Sequence, residues 1–145
     1  MMPDRDWIAR HIPHRGSMCL LERVLEWGPE HIRCQAHSHH APDNPLRAGG
    51  VLAAVCAVEY AAQAMAVHGA LVSGQEEAPA IGYLASVRSV ELHVERLDTV
   101  PTELEVCAWH VSGDGGRVLY DFAVQGAGRK LVEGRAAVIL KVAMS

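Results

Sequence analysis

The chain has 145 residues, of which 50% are hydrophobic and 21% are charged, so it can fill the core of one domain spanning residues 1–145. Its formal net charge is −4 and its lysines and arginines are dispersed, which argues against a nucleic-acid partner. The segment from Met1 to Arg15 lacks the apolar core of a signal peptide. We therefore expect a cytoplasmic protein.

The cysteines lie in apolar runs, and no two of them form a C-x-x-C pair. This pattern favours buried, reduced thiols over a disulfide framework or a zinc site. The four residues are Cys19, Cys34, Cys56 and Cys107.

The first third of the chain predicts a short helix and two strands. Pro3 suits the first turn of a helix that Pro13 ends, and a turn follows at residues 14–17. The strands are Cys19 to Trp27 and His31 to Ser38, joined by a turn at residues 28–30, with an irregular loop from His39 to Gly50.

A long apolar helix is predicted from Val51 to Val72, with Gly74 as its terminator. It is long enough to span a membrane, but Glu59 lies inside it, and a central carboxylate costs about 2.5–3.5 kcal/mol on insertion scales. We therefore expect the buried helix of a soluble protein, with no membrane span.

The second half of the chain is rich in β-formers, with hairpin turn signals at residues 112–116 and 126–128. A helix that is hydrophobic nearly all round cannot lie on a surface. This order predicts an α+β protein, an antiparallel sheet wrapped around one long central helix, as in a hotdog fold. A sandwich with the helix on one face is the alternative. The predicted strands are 81–94, 103–111, 118–125 and 130–142.

Two polar residues share one face of the long helix, because Glu59 and Gln63 are four positions apart. A carboxylate among apolar residues is costly unless it is paired or neutral. Glu59 is thus either an ion-pair partner of an arginine, in its own chain or across an oligomer interface, or an acid or base with a raised pKa.

Histidines crowd the end of the second strand and the loop after it, at His31, His37, His39 and His40. No carboxylate or thiol at ligand spacing completes a metal site, so we expect no metal. Two alternatives stay open. One of these histidines acts as a base beside Glu59, or the cluster is solvated and has no function.

Three segments resemble the 3-hydroxyacyl-(acyl carrier protein) dehydratases. Residues 12–24, IPHRGSMCLLERV, are similar to the opening L-P-H-R-x-P-F-L-L-V-D-R-V of that family. Residues 40–46, HAPDNPL, and 59–63, EYAAQ, are similar to the two ends of its motif G-H-F-P-x-x-P-I-x-P-G-V-L-x-x-E-A-x-A-Q. Residues 44–47 and 58–71 further resemble the divergent dehydratase-like subunits of aryl polyene gene clusters, which pair with a second dehydratase subunit.

The resemblance implies dehydration of 3-hydroxyacyl thioesters to trans-2-enoyl thioesters. His40 matches the family's catalytic histidine, which takes the C2 proton, and Glu59 its acid, which protonates the leaving hydroxyl. Gln63 matches the glutamine that supports the acid. A backbone N–H near Ala53 and Ala54 is the candidate donor to the thioester oxygen.

The implied partners are an acyl carrier protein and a second hotdog subunit, identical or different, since histidine and acid come from opposite chains in this family. The substrate is carried on phosphopantetheine, and no cofactor is implied.

The sequence departs from the family motif around the histidine and before the helix. His39 and Ala41 replace the Gly and Phe that flank the family histidine, and Ala53-Ala54 replaces Pro-Gly. The connection from Pro45 to Glu59 is longer by about five residues, which a surface loop tolerates. A hotdog thioesterase and a non-catalytic partner subunit are therefore alternative functions.

Overall fold

The computed structural model describes residues 2–12, 16–74, 80–113 and 117–142. Two helices and six strands follow one another in the predicted order. The predicted turns at 14–17 and 112–116 and the linker at 73–79 lie partly outside the described residues. The elements are α1 Arg5–His11, β1 Arg23–Gly28, β2 His31–Ala36, α2 Ala57–Ser73, β3 Ala80–Leu92, β4 Leu104–Gly113, β5 Arg117–Gly126 and β6 Arg129–Val142.

The strands form one antiparallel sheet in the order β1-β2-β4-β5-β6-β3. Strands that are consecutive in the chain pair as hairpins, except where α2 and β3 are inserted between β2 and β4. Strand β2 shows why the sheet has two faces, because Ile32, Cys34 and Ala36 are buried while the residues between them are half-buried.

Helix α2 packs against the buried face of the sheet and contacts five of its strands. One face of the helix is fully buried over four turns and includes Tyr60, Ala64 and Val67. Residues Ala54–Ser73 are long and apolar enough to cross a membrane by length and composition, with a mean hydropathy of 1.3. Here they form the core of the fold, and the predicted hotdog architecture is confirmed.

Helix α2 begins later than the sequence predicts. Residues 51–53 are extended, because Ala53 forms a bridge with Arg96 and the Leu52 carbonyl accepts from the Leu97 N–H at 2.8 Å. A single 3-10 turn, Ala54–Cys56, then leads into the α-helix. The apolar pattern does not reveal this start, since the partner residues lie more than 40 positions away.

The first strand is also shorter than predicted. Cys19, Leu20 and Leu21 are buried and apolar, but they precede β1 and carry no strand pairing. All four cysteines are free thiols, three buried and Cys56 half-buried, as the sequence predicts.

The two edges of the sheet differ in how they are covered. At β1, the Val24 N–H donates to the Pro3 carbonyl at 2.9 Å, and Asp4 forms a bridge with Arg23. The N-terminal segment therefore covers part of this edge. Strand β3 pairs with β6 on one side, and no described residue pairs with its other side.

Candidate active site

A 3-10 turn, Ser38–His40, carries the two histidines of the loop that precedes helix α2. The Nε2 atom of His39 lies 2.8 Å from the Thr102 carbonyl, and that of His40 lies 2.6 Å from the Val100 carbonyl. The two rings are in contact, with centroids 3.9 Å apart and planes tilted by 36°. The segment that leads into β4 therefore holds both imidazoles.

These hydrogen bonds determine which nitrogen of His40 can act as a base. A carbonyl oxygen only accepts, so Nε2 of His40 must carry the hydrogen in its bond to Val100. In the neutral ring, Nδ1 then keeps its lone pair. His40 is exposed, so this lone pair belongs to a side chain that a ligand can approach.

His39 is completely buried, in contrast to His40. Burial is the main cause that lowers its pKa, and the neighbouring His40 lowers it further. Its Nδ1 has no hydrogen-bond partner among the described residues. A neutral His39 packed beneath His40 is consistent with a supporting position, while His40 offers the exposed nitrogen.

A chain of hydrogen bonds joins the histidine loop to helix α2 and to the residues before β1. The Asn44 amide donates to the Tyr60 hydroxyl at 3.1 Å, and Tyr60 lies 2.8 Å from the Ser38 hydroxyl. Ser38 in turn donates to the Leu20 carbonyl at 2.7 Å, so its oxygen must accept from Tyr60. Burial raises the pKa of Tyr60, which keeps its hydroxyl protonated as this chain requires.

Gln63 makes the second connection to the residues before β1. Its Oε1 accepts from the Leu20 N–H at 2.9 Å, and its Nε2 donates to the Met18 carbonyl at 2.7 Å. The side chain is 1% exposed. In this chain the amide of Gln63 therefore binds backbone groups of the opening segment.

Arg47 holds the longer part of the loop together from within. Its guanidinium donates to the carbonyls of Ala41 at 3.0 Å, Gly50 at 2.8 Å and His39 at 3.0 Å. These three bonds cross-link the two halves of the loop. They give a physical reason why an extended connection can still present His40 in a defined place.

Glu59 lies in the first turn of helix α2 and is half-buried. No described residue forms an ion pair or a hydrogen bond with its side chain. The ion-pair alternative considered for Glu59 therefore finds no partner among the described residues of its own chain.

The candidate amide donor to the thioester oxygen was expected near Ala53 and Ala54. The Ala54 N–H donates to the Glu95 carbonyl at 3.0 Å, so it is not available to a substrate oxygen. Ala53 is exposed, and its N–H stays the candidate donor to the thioester oxygen.

A groove of about 490 Å³ lies beside His40. Polar residues of the loop and of the N-terminal segment line it, including His40, Ser38, Asn44, His37 and Arg5, while Cys19 forms part of its wall. Glu59 is not among its lining residues. This groove thus contains the predicted base but not the predicted acid.

The histidine cluster does not converge on one point. His37 pairs with Glu22 at 3.1 Å, while His39 and His40 bind separate carbonyls. Among the described residues, a set of ligand atoms close enough for a metal ion occurs elsewhere, at Glu91, His93 and Glu133, where His93 bonds Glu133 at 2.8 Å.

Sequence reasoning missed the residues that build the loop: Ser38, Asn44, Arg47 and Tyr60. Asn44-Pro45 is a turn signal, and the Asn44 side chain accepts from the Leu46 N–H at 2.9 Å as such a turn predicts. Tyr60, the one tyrosine of the long helix, was the remaining signal, because a buried hydroxyl needs a partner.

The geometry can be compared with known proteins. The family model described as ApeP dehydratase matches residues 7–143. The structure titled the dehydratase heterocomplex ApeI:P from Xenorhabdus doucetiae is similar at 25% identity with a TM-score of 0.80, covering 91% of this chain and 89% of that one.

More distant structures share the fold alone. A mutant thioesterase from Pseudomonas aeruginosa has 15% identity and a TM-score of 0.57, covering 83% of this chain and 81% of that one. A thioesterase family protein from Silicibacter pomeroyi has 12% identity and a TM-score of 0.60, covering 83% and 84%. No curated protein sequence matches the chain.

Proposed function

Because the chain belongs to the ApeP-like dehydratase family, we propose that it takes part in dehydrating 3-hydroxyacyl thioesters on an acyl carrier protein, as one subunit of a two-subunit dehydratase. The observation that supports this proposal is the hydrogen bonding of the His40 ring. Its Nε2–H is bound to Val100, and its Nδ1 lone pair is left beside a groove.

The proposed reaction is a proton transfer coupled to loss of water. His40 Nδ1 takes the proton from C2, the electrons of the C2–H bond form the C2=C3 double bond, and the C3–O bond breaks. A protonated acid of the facing subunit gives its proton to the departing hydroxyl, which leaves as water, and Glu59 has the same role toward a histidine of that subunit. Carbon oxidation is balanced within the substrate, so the chemistry requires no redox cofactor.

Two features support a second hotdog subunit as partner. Glu59 does not line the groove beside His40, which agrees with a site in which the histidine and the helix acid come from opposite chains. The unpaired side of β3 offers main-chain donors and acceptors to which a neighbouring sheet can add. In that arrangement His40 would meet an acid of the partner, and Glu59 a histidine of the partner.

The thioester oxygen gains negative charge in this reaction. The Ala53 N–H, at the start of the turn that leads into α2, is the donor we propose for it, since Ala54 is bound to Glu95. The carrier and its phosphopantetheine arm would approach from the exposed side of His40, and such carriers place the protein in the cytoplasm.

The test is a mass-spectrometric assay of carrier-bound 3-hydroxyacyl substrates with the chain alone, with a candidate partner alone and with both. We expect 2-enoyl product from the complex. The double variant His40→Ala/Glu59→Gln should lower the rate by about 10²–10⁴-fold, the usual size of an acid–base contribution, because each substitution alone removes a group from only one of the two sites. His93→Ala, an exposed histidine outside this groove, and Glu30→Gln are the matched controls.

The other outcomes separate the alternatives. Normal turnover in complexes that carry His40→Ala and Glu59→Gln would mean that this chain is a non-catalytic partner. Release of free carrier thiol without enoyl product would mean a thioesterase.

A further inference from the structure

The outer surface of the sheet carries a second groove, far from His40. Its volume is about 320 Å³, and Arg88, Arg117, Arg135, Ser86 and Ser112 line it. It lies at the last residues of β4, whereas His40 contacts Val100, which precedes β4. Ten strand residues span about 30 Å, so this groove is separate from the candidate active site.

The groove carries more positive charge than the described residues neutralise. Arg135 pairs with Asp121, with Nε 2.8 Å from the carboxylate. No described residue forms an ion pair or hydrogen bond with the side chain of Arg88 or Arg117. Within the described ranges, two guanidinium charges of this groove therefore have no counterion.

Two of these arginines face each other in the sheet. Arg88 of β3 and Arg135 of β6 are direct partners in the antiparallel register. Like charges in such pairs destabilise a sheet, and the cost is removed when an anion lies between them. Asp121 offsets the charge of Arg135, so Arg88 is the member of this pair for which the described residues supply no anion.

Irregularities in the strands turn the polar side chains toward this groove. The register shifts next to Ser86 and next to Arg88 in β3, and again next to Ser112 in β4. Ser89, which follows Arg88, has a positive φ of 54°. Bulges redirect side chains and concentrate at functional sites, and here three of them border one groove.

We propose that this groove, defined by Arg88, Arg117, Arg135, Ser86 and Ser112, binds a phosphate or diphosphate group. Guanidinium groups bind phosphate oxygens through two parallel N–H bonds, and the serine hydroxyls supply further donors. A carboxylate is planar, carries one charge and is satisfied by a single arginine. Three guanidinium groups around one concavity fit a tetrahedral group with a higher charge.

Isothermal titration calorimetry on the full chain at low salt tests the proposal, with inorganic phosphate, pyrophosphate and glutarate as probes. We expect one saturable site that binds pyrophosphate more tightly than phosphate and does not bind glutarate. Arg88→Gln and Arg117→Gln should each weaken pyrophosphate binding about tenfold. Arg129→Gln, at the far end of β6, is the matched control and should bind as the parent does.

Ser86→Ala with Ser112→Ala provides a variant that keeps the charge, and it should also weaken binding. ADP is titrated beside pyrophosphate. Binding of both would identify the ligand as a diphosphate carried by a larger molecule, and binding of pyrophosphate alone would identify it as the free anion. No saturable binding of phosphate or pyrophosphate, equal binding of glutarate, or unchanged binding in the folded Arg88→Gln/Arg117→Gln protein would each overturn the proposal.

Discussion

The side-chain amide of Gln63 accepts a hydrogen bond from the Leu20 N–H at 2.9 Å across 43 residues of sequence. The Leu20 carbonyl accepts from Ser38 at the same time. One peptide segment before β1 thus joins the core helix to the loop that holds His40. The stability of the candidate site depends on this junction, and the first prediction concerns it.

Gln63→Ala should lower the free energy of unfolding by about 2–4 kcal/mol, since it removes the partner of the buried Leu20 N–H and of the Met18 carbonyl. Urea unfolding measures the loss. Gln35→Ala is the control, because Gln35 bonds the exposed Glu103 and should cost less than 1 kcal/mol, about the value of a surface contact. Equal losses in the two variants would mean that the Gln63 bonds contribute little.

Arg47→Ala should open the loop without unfolding the sheet. Three carbonyls of the loop lose their charged donor, which we expect to cost about 1–3 kcal/mol locally. Hydrogen exchange should then increase over residues 39–50 and stay unchanged in β5. Arg47→Lys keeps the charge but not the planar fork, so it should restore protection only in part. Unchanged exchange over the loop in Arg47→Ala would contradict this role.

His68→Leu should destabilise the core by about 2–4 kcal/mol. His68 Nε2 lies 2.7 Å from the Gly28 carbonyl, and Nδ1 lies 2.8 Å from the Tyr120 hydroxyl. Because Nε2 donates to that carbonyl, Nδ1 must accept from Tyr120. A double-mutant cycle with Tyr120→Phe measures the coupling, which should be at least 0.5 kcal/mol, the size expected for residues in contact. Additive losses would show that the two groups do not interact.

Stability should fall as the pH falls below about 6.5. Burial lowers the pKa of both His39 and His68 from the ordinary histidine value of 6.5, so the unfolded chain binds protons in this window that the folded chain does not. Their contribution is therefore complete above pH 6.5 and decreases on acidification toward the lowered pKa values. Urea unfolding at pH 8, 6.5 and 5 tests this expectation. The decrease between pH 8 and 5 should be smaller in His68→Leu, and an equal decrease would assign the effect to other groups.

The sequence was sufficient for the order of elements because the relevant signals are local. The apolar run of the long helix, the hairpin turns and the alternation in β2 each depend on neighbouring residues. The start of α2 was not predictable in this way, since Leu52 and Ala53 are held by Leu97 and Arg96. Cys19 to Leu21 have a strand-like composition, yet Gln63 and Ser38 determine their conformation.

The sequence allowed the residue types of the candidate site to be predicted, but not the contacts that these residues make. The histidine of the loop and the acid of the helix are visible in the sequence, and a prediction of their roles needs no coordinates. The hydrogen on Nε2 of His40 follows only from the Val100 carbonyl, 60 residues away. The hydrogen bond from the Ala54 N–H to the Glu95 carbonyl is equally non-local. Both of these hydrogen bonds go to carbonyls of one segment, residues 95–102.

The uncovered side of β3 bears on how this polypeptide behaves when it is made alone. Thirteen residues of backbone on that margin have no described neighbour, whereas the N-terminal residues shield the opposite margin at β1. An exposed strand edge of this kind pairs with other extended chains unless a neighbouring strand covers it. Production together with a subunit that completes the sheet should therefore increase the yield of dispersed protein, while solitary expression should favour self-association.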